Sequence, residues 1–233
     1  MEDLDEAIKL DPNNSTYFNK RGNAKYSSED YKGAVEDYEQ AIKLSPTNST
    51  YYSNCAGAKY VLGDSKGEIE EYNEAIKLDP NNSTYFNNRG AAKNRLGDYK
   101  GAIDDCDQAI KLDPNIANPY RHRGNAKRNM GNLNAAIMDY NEAVKLDSKY
   151  AYALSDRGYC HQLLSNLEEA SQDFKTALTI NPKVDSFFVE QGSNMKKENP
   201  KGATIQFKIA IALNPNNKEA ASQLEKGTEE AKD

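Results

Sequence analysis

Tryptophan is absent from this 233-residue chain, histidine occurs only twice, and cysteine only three times. No stretch approaches the roughly 18 consecutive apolar residues of a membrane-spanning helix. The opening Met-Glu-Asp-Leu-Asp is acidic and has no apolar core, so it does not read as a secretory signal. A cytoplasmic setting is expected. Positive charge is in deficit, with 30 Lys and Arg against 36 Asp and Glu and a net charge of −6. Nucleic acid and anionic membranes are therefore not expected partners, because phosphate binding needs clustered cations on one face. Cys55, Cys106 and Cys160 form an odd set without CxxC spacing, which excludes a disulfide framework and a zinc site. Catalysis has little foothold. His122 and His161 stand alone, and no HExxH, P-loop, GxSxG or Cys–His motif is present. The acidic pairs Glu70–Glu71 and Asp104–Asp105 read as solvated helix faces. No enzymatic activity, cofactor or metal is expected.

What the sequence has is period. Pro12, Pro46, Pro80 and Pro114 are each 34 residues apart, Ser148 stands where the next proline is due, and Pro182 follows 34 later. Pro215 arrives after 33. The text between repeats as well: EAIKLDPNNSTYFN, QAIKLSPTNSTYYSN, EAIKLDPNNSTYFNN, QAIKLDPNIANPYRH. A stack of similar two-helix units explains such a spacing; one compact core does not.

A 34-residue unit with a large residue at position 4, Gly or Ala at 8, an aromatic at 24, Ala at 27 and Pro at 32 resembles the tetratricopeptide repeat. Position 4 is Phe18, Tyr52, Phe86, Tyr120, Leu154 and Phe188. Position 8 is Gly22, Ala56, Gly90, Gly124, Gly158 and Gly192. The resemblance implies an all-α, right-handed α-solenoid of antiparallel helix pairs, A and B. Six repeats are expected, at 15–48, 49–82, 83–116, 117–150, 151–184 and 185–217. A second-helix remnant over 1–14 precedes them, and a capping helix with a frayed tail over 218–233 follows. The remnant leaves Leu4 and Ile8 without an expected partner helix, as in a fragment of a longer array or a bare end.

Local chemistry supports the helices. Asp30, Asp64, Asp98, Asn132 and Asn166 stand where helix B begins and read as N-caps. Asn14, Asn48 and Asn82 open glycosylation-like Asn-Ser-Thr runs, in which Ser15, Ser49 and Ser83 read as caps of helix A. Acidic residues early in helix B and Lys43, Lys77, Lys111 and Lys145 at its end complement the helix dipole. Position 7 is Arg21, Arg89, Arg123 and Arg157, and position 23 of the same repeats is Asp37, Asp105, Asp139 and Asp173. An ion pair from A to B is expected in each. Glu68 replaces a tight alanine and is expected to reach solvent or a cation. In the sixth repeat a residue is lost near 195–199 and Pro200 opens helix B, so an irregular turn is expected there.

The resemblance implies a concave groove lined by positions 2, 5, 6, 9, 12 and 13 of helix A. The residues expected to bind peptide there are Asn19, Asn23, Asn54, Asn87, Asn88, Arg95, Arg121, His122, Asn125, Arg128 and Tyr159. Asparagine amides both donate and accept, which suits a peptide backbone. The cluster Arg95, Arg121, His122 and Arg128 points to an acidic or C-terminal carboxylate ligand. The family's chaperone-binding carboxylate clamp is incomplete, with Asn19, Thr84 and Asn88 where cations belong. The expected function is a non-catalytic protein-interaction scaffold, with end-to-end self-association through residues 1–14 as the alternative.

Overall fold

The computed structural model describes residues 2–229 as fourteen α-helices, with no strand among the described residues. Helix α1 (Glu2–Leu10) is followed by α2 (Ser15–Ser27) and α3 (Tyr31–Leu44), α4 (Ser49–Val61) and α5 (Ser65–Leu78), and α6 (Ser83–Leu96) and α7 (Tyr99–Leu112). Next come α8 (Ala117–Asn129) and α9 (Leu133–Leu146), α10 (Ala151–Leu163) and α11 (Leu167–Ile180), α12 (Val184–Met195) and α13 (Pro200–Leu213), and α14 (Lys218–Glu229). The chain divides into two compact units, Met1–Ala92 and Lys93–Asp233. No helix is long and apolar enough to cross a membrane among the described residues.

Glycine sets how closely paired helices approach. A Cβ on Gly22, Gly124 or Gly192 would sit 2.7, 2.6 or 2.6 Å from the ring of Tyr38, Tyr140 or Phe207, the aromatic on the partner helix. The ring occupies the volume that any side chain would need. Successive pairs then join through small buried residues. Tyr38 and Ala34 of α3 cluster with Cys55 and Ala58 of α4. Ala136 and Tyr140 of α9 cluster with Cys160 of α10 in the same way. All three cysteines are free and buried. Burial pushes the Cys55 and Cys160 thiols up to about 12, so they pack as small apolar groups, not as nucleophiles.

Three of the four expected interhelical ion pairs are seen, each with a second arm that was not expected. Arg21 meets Asp37 at 2.6 Å, Arg123 meets Asp139 at 2.7 Å, and Arg157 meets Asp173 at 2.6 Å. Each arginine also reaches back one pair, with Nη1 to Asp5 at 2.7 Å, to Asp107 at 2.5 Å and to Asn141 at 2.8 Å respectively. Arg89 likewise donates to Asn73 at 2.8 Å, and Asp105 is met by Lys93 at 2.8 Å. One guanidinium thus fixes the register within a pair and between pairs. Lys127 also holds Asp139, at 2.7 Å. No lysine stands at the matching position beside Asp173, where the sequence has His161. Arg157→Ala is therefore expected to cost about 2–3 kcal/mol, and Arg123→Ala about half of that, because Lys127 still neutralises Asp139. Urea titration of the two variants measures the difference; equal losses would show that the lysine does not compensate.

Several expectations are corrected. The residues that cap helix A are Asn14, Asn48 and Asn82, not the serines that follow. Their Oδ1 atoms accept from the Thr16, Thr50 and Thr84 amides, each at 3.1 Å. The longer Asn side chain spans back to the second amide on, which leaves the Ser15 and Ser49 hydroxyls to meet Tyr51 and Tyr85 of the next pair at 3.3 Å. Asp30, Asp64 and Asp98 cap helix B as expected, but Asn132 and Asn166 make no side-chain cap bond. Of the two outcomes expected of Glu68, solvent is ruled out, since the side chain is buried. Leu4 and Ile8 are half-buried in α1, which packs on α2. The expected frayed tail, from residue 230 onward, lies outside the described residues.

The sixth pair departs from the pattern. At position 10 of the second to fifth repeats stand Ala58, Ala92, Ala126 and Cys160, each fully buried. The sixth pair has Asn194 there, and it is exposed. An exposed amide replaces the small apolar contact that seats helix A on the helix before it. Asn199 caps α13 through Gly202, with Pro200 in the first turn. α14 seats Ala220 in the apolar cluster around Phe188, Phe207 and Ile209.

Candidate functional site

The expected binding residues fall in the two compact units and are described separately. In the first unit, Asn54 Nδ2 donates to Asn19 Oδ1 at 2.9 Å, linking the helices A of neighbouring pairs. The Tyr38 hydroxyl donates to Asn23 Oδ1 at 2.8 Å, and Asn23 is exposed. Asn87 donates to Asn88, and Asn88 donates to the Tyr72 hydroxyl at 3.0 Å. Asn19, Asn54 and Asn88 are half-buried, so each amide is oriented by the fold and still meets solvent. Such amides are pre-set to pair with a peptide backbone.

The second unit holds the charged part of the set, in a different state from that expected. Arg121 and Arg128 are buried and share Asp156, which is 0% exposed. Arg121 Nε donates to Asp156 Oδ2 at 2.7 Å, and Arg128 Nη1 bonds the other oxygen. Tyr150, Tyr152 and Phe187 stack against the Arg121 guanidinium, 5.4–5.7 Å from their ring centres. Asn125 accepts from the Tyr140 hydroxyl at 2.8 Å. Tyr159 is buried. Arg121 and Arg128 are thus inside the fold, while Arg95 and His122 of the expected cluster are half-buried. One sequence signal pointed to this: Asn19–Asn54 and Arg121–Asp156 have the same separation of 35 residues. A complementary pair at that offset marks contact between neighbouring helices A.

His122 is half-buried, and burial together with Arg121 and Arg95 pulls its imidazole down to about 3. Its backbone carbonyl accepts from Asn94 Nδ2 at 2.8 Å. The unfolded chain protonates near 6.5 while the folded chain resists, so stability falls as pH drops from about 6.5 toward 3. Between pH 7 and pH 5, where carboxylates stay mostly ionised, the wild type is expected to lose about 2 kcal/mol more than His122→Gln. Urea titration at the two pH values measures this; equal losses would place His122 in water.

Glu39, Cys55 and Glu71 approach one another closely enough to suggest a metal site. Lys59 fills that position instead, at 2.6 Å from Glu71 and 3.6 Å from Glu39. An ammonium already neutralises the carboxylates, and the thiol is held protonated, so the donor set does not fit a cation. His161 is half-buried beside Asn166 on α10 and faces no nucleophile.

The family model described as TPR repeat matches residues 22–63 and 124–165, and the model described as tetratricopeptide repeat matches 83–116 and 151–184. No curated protein matches the sequence. Among solved structures, MamA is 24% identical with a TM-score of 0.63, covering 71% of this chain and 96% of that one. YrrB, described as a TPR protein with an unusual peptide-binding site, is 21% identical with a TM-score of 0.62, covering 77% and 92%. A tetratricopeptide repeat protein from Parabacteroides merdae is 18% identical with a TM-score of 0.74, covering 97% and 90%. These likenesses concern the fold.

Proposed function

Because this chain belongs to the tetratricopeptide repeat family, we propose that it is a non-catalytic protein-interaction scaffold that holds an extended peptide on the helix-A faces of its pairs. The observation that carries the reading is the row of oriented amides in the first unit, Asn19, Asn54 and Asn88, each held by a neighbour yet half open to water. YrrB, which shares the fold, is described by its peptide-binding site, and that description supports the reading. Binding of the full-length chain to an arrayed peptide library tests it. Asn54→Ala/Asn88→Ala is expected to lose at least about tenfold in affinity for peptides the wild type captures, about 1.4 kcal/mol, with an unchanged circular dichroism spectrum. Equal capture by the variant would refute the amide row as the binding face. The alternative, self-association through α1, draws support from Leu10, which is 82% exposed. Sedimentation of the chain against Leu4→Glu/Ile8→Glu decides it.

A further inference from the structure

The inner positions of the two units differ in exposure. At position 12 of successive repeats stand Tyr26, Tyr60, Asn94 and Arg128. The tyrosines of the first unit are 36% and 40% exposed, whereas Asn94 and Arg128 of the second are 7% and 3% exposed. Residues of its own sixth pair lie against that face, with the Phe187 ring of α12 5.4 Å from the Arg121 guanidinium. α13 packs on α10 as well as on α12. The turn between α12 and α13 reaches the turn between α6 and α7. There Asn199 Nδ2 donates to the Asn94 carbonyl at 3.3 Å and to the Tyr99 hydroxyl at 3.0 Å. Met195, the last residue of α12, joins Tyr159 in one buried cluster. Asn194, at position 10, is exposed, where the second to fifth repeats bury an alanine or a cysteine.

The covered face is not a finished core. Arg121 and Arg128 share a single carboxylate, so one positive charge is shut in without a counterpart on Asp156. Arg128 Nε and Nη2, Asn94 Oδ1 and Asn129 Oδ1 are buried with no hydrogen-bond partner. Unmade bonds on a buried guanidinium are costly, and a carboxylate is the group whose geometry satisfies them. A cover that leaves these atoms unsatisfied is weaker than an occupant that pairs with them.

We propose that the α12–α13 pair is a built-in stopper over Asn94 and the inner face of α8 and α10, and that a peptide bearing carboxylates displaces it by bonding Arg128 and Arg121. This deepens the groove reading above and rests on it. The apparent affinity for such a peptide is lowered by the fraction of chains in which the stopper is lifted, so loosening the stopper tightens binding with no new contact.

The test uses the full chain, a fluorescein-labelled oligoglutamate peptide, and an uncharged Gly-Ser peptide of equal length, read by anisotropy. Asn199→Ser keeps a helix cap but is too short to reach Asn94 and Tyr99. It is expected to bind oligoglutamate about tenfold more tightly than wild type. Adding Arg128→Met to Asn199→Ser is expected to abolish that binding. Oxidised Gly97→Cys/Asn199→Cys, with the two turns tied together, is expected not to bind until reduced. Hydrogen exchange at residues 196–200 is expected to speed up when the peptide is bound. Equal oligoglutamate affinity in wild type, Asn199→Ser and the oxidised variant would overturn the stopper while leaving a carboxylate-binding face. Equal binding of the Gly-Ser peptide would overturn the choice of ligand. No binding by any variant would overturn the whole proposal, and the peptide-library result with Asn54→Ala/Asn88→Ala would then stand or fall on its own.

Discussion

Asp156→Ala is expected to cost about 3–5 kcal/mol, because it leaves two buried guanidinium groups without their carboxylate. Asp156 is 0% exposed, Arg121 and Arg128 both bond to it, and two Arg128 nitrogens already lack partners. A melting temperature lower by about 10 °C follows, at about 2–4 °C per kcal/mol for a chain of this size. The triple change Arg121→Met/Arg128→Met/Asp156→Leu is expected to recover most of the loss, since burying no charge costs less than burying unpaired ones. Thermal melting followed by circular dichroism compares the three proteins. A small loss in Asp156→Ala would mean that water reaches the arginines and that the second unit's inner face is open.

The other large effect is at Phe188. It is 0% exposed, and Tyr152 and Phe187 meet it edge-on at 6.5 and 5.3 Å. Phe188→Ala is expected to cost about 3–5 kcal/mol, the usual range for emptying a buried aromatic site. Phe18 holds the same position of the first repeat but is only half-buried. Phe18→Ala is expected to cost roughly half as much, because less apolar surface leaves water there on folding. Urea titration of the two variants measures the ratio. Equal losses would show that the sixth pair is no more tightly packed than the first.

The pairing of helices was legible because it is local and recurs. Gly124 can be read from the sequence since the ring it must clear, Tyr140, lies on the adjoining helix at a spacing shared by Gly22 and Tyr38. Arg123 and Asp139 were legible for the same reason. Their second arm, from Arg123 to Asp107, runs between pairs and was missed, although its offset of 16 residues recurs from Arg21 to Asp5. The site was legible in its first half only. Asn19, Asn54 and Asn88 lie where the repeat register places them, and local partners orient them. Arg121, Arg128 and Tyr159 stand at positions 5, 12 and 9, which the same register assigns to the groove, and yet are buried. Register assigns a residue to a face of its own helix; it carries no information about a segment that returns from far along the chain.

Repetition in the sequence by itself determined the helices, their antiparallel pairing and the residues that share a face, because each of these depends on contacts within about one repeat length. Only the tertiary structure decided that the sixth pair returns to the turn after α6, where Asn199 meets Asn94 and Tyr99 across 105 and 100 residues. A single amide reaching a backbone carbonyl and one hydroxyl has no periodic signature in the chain.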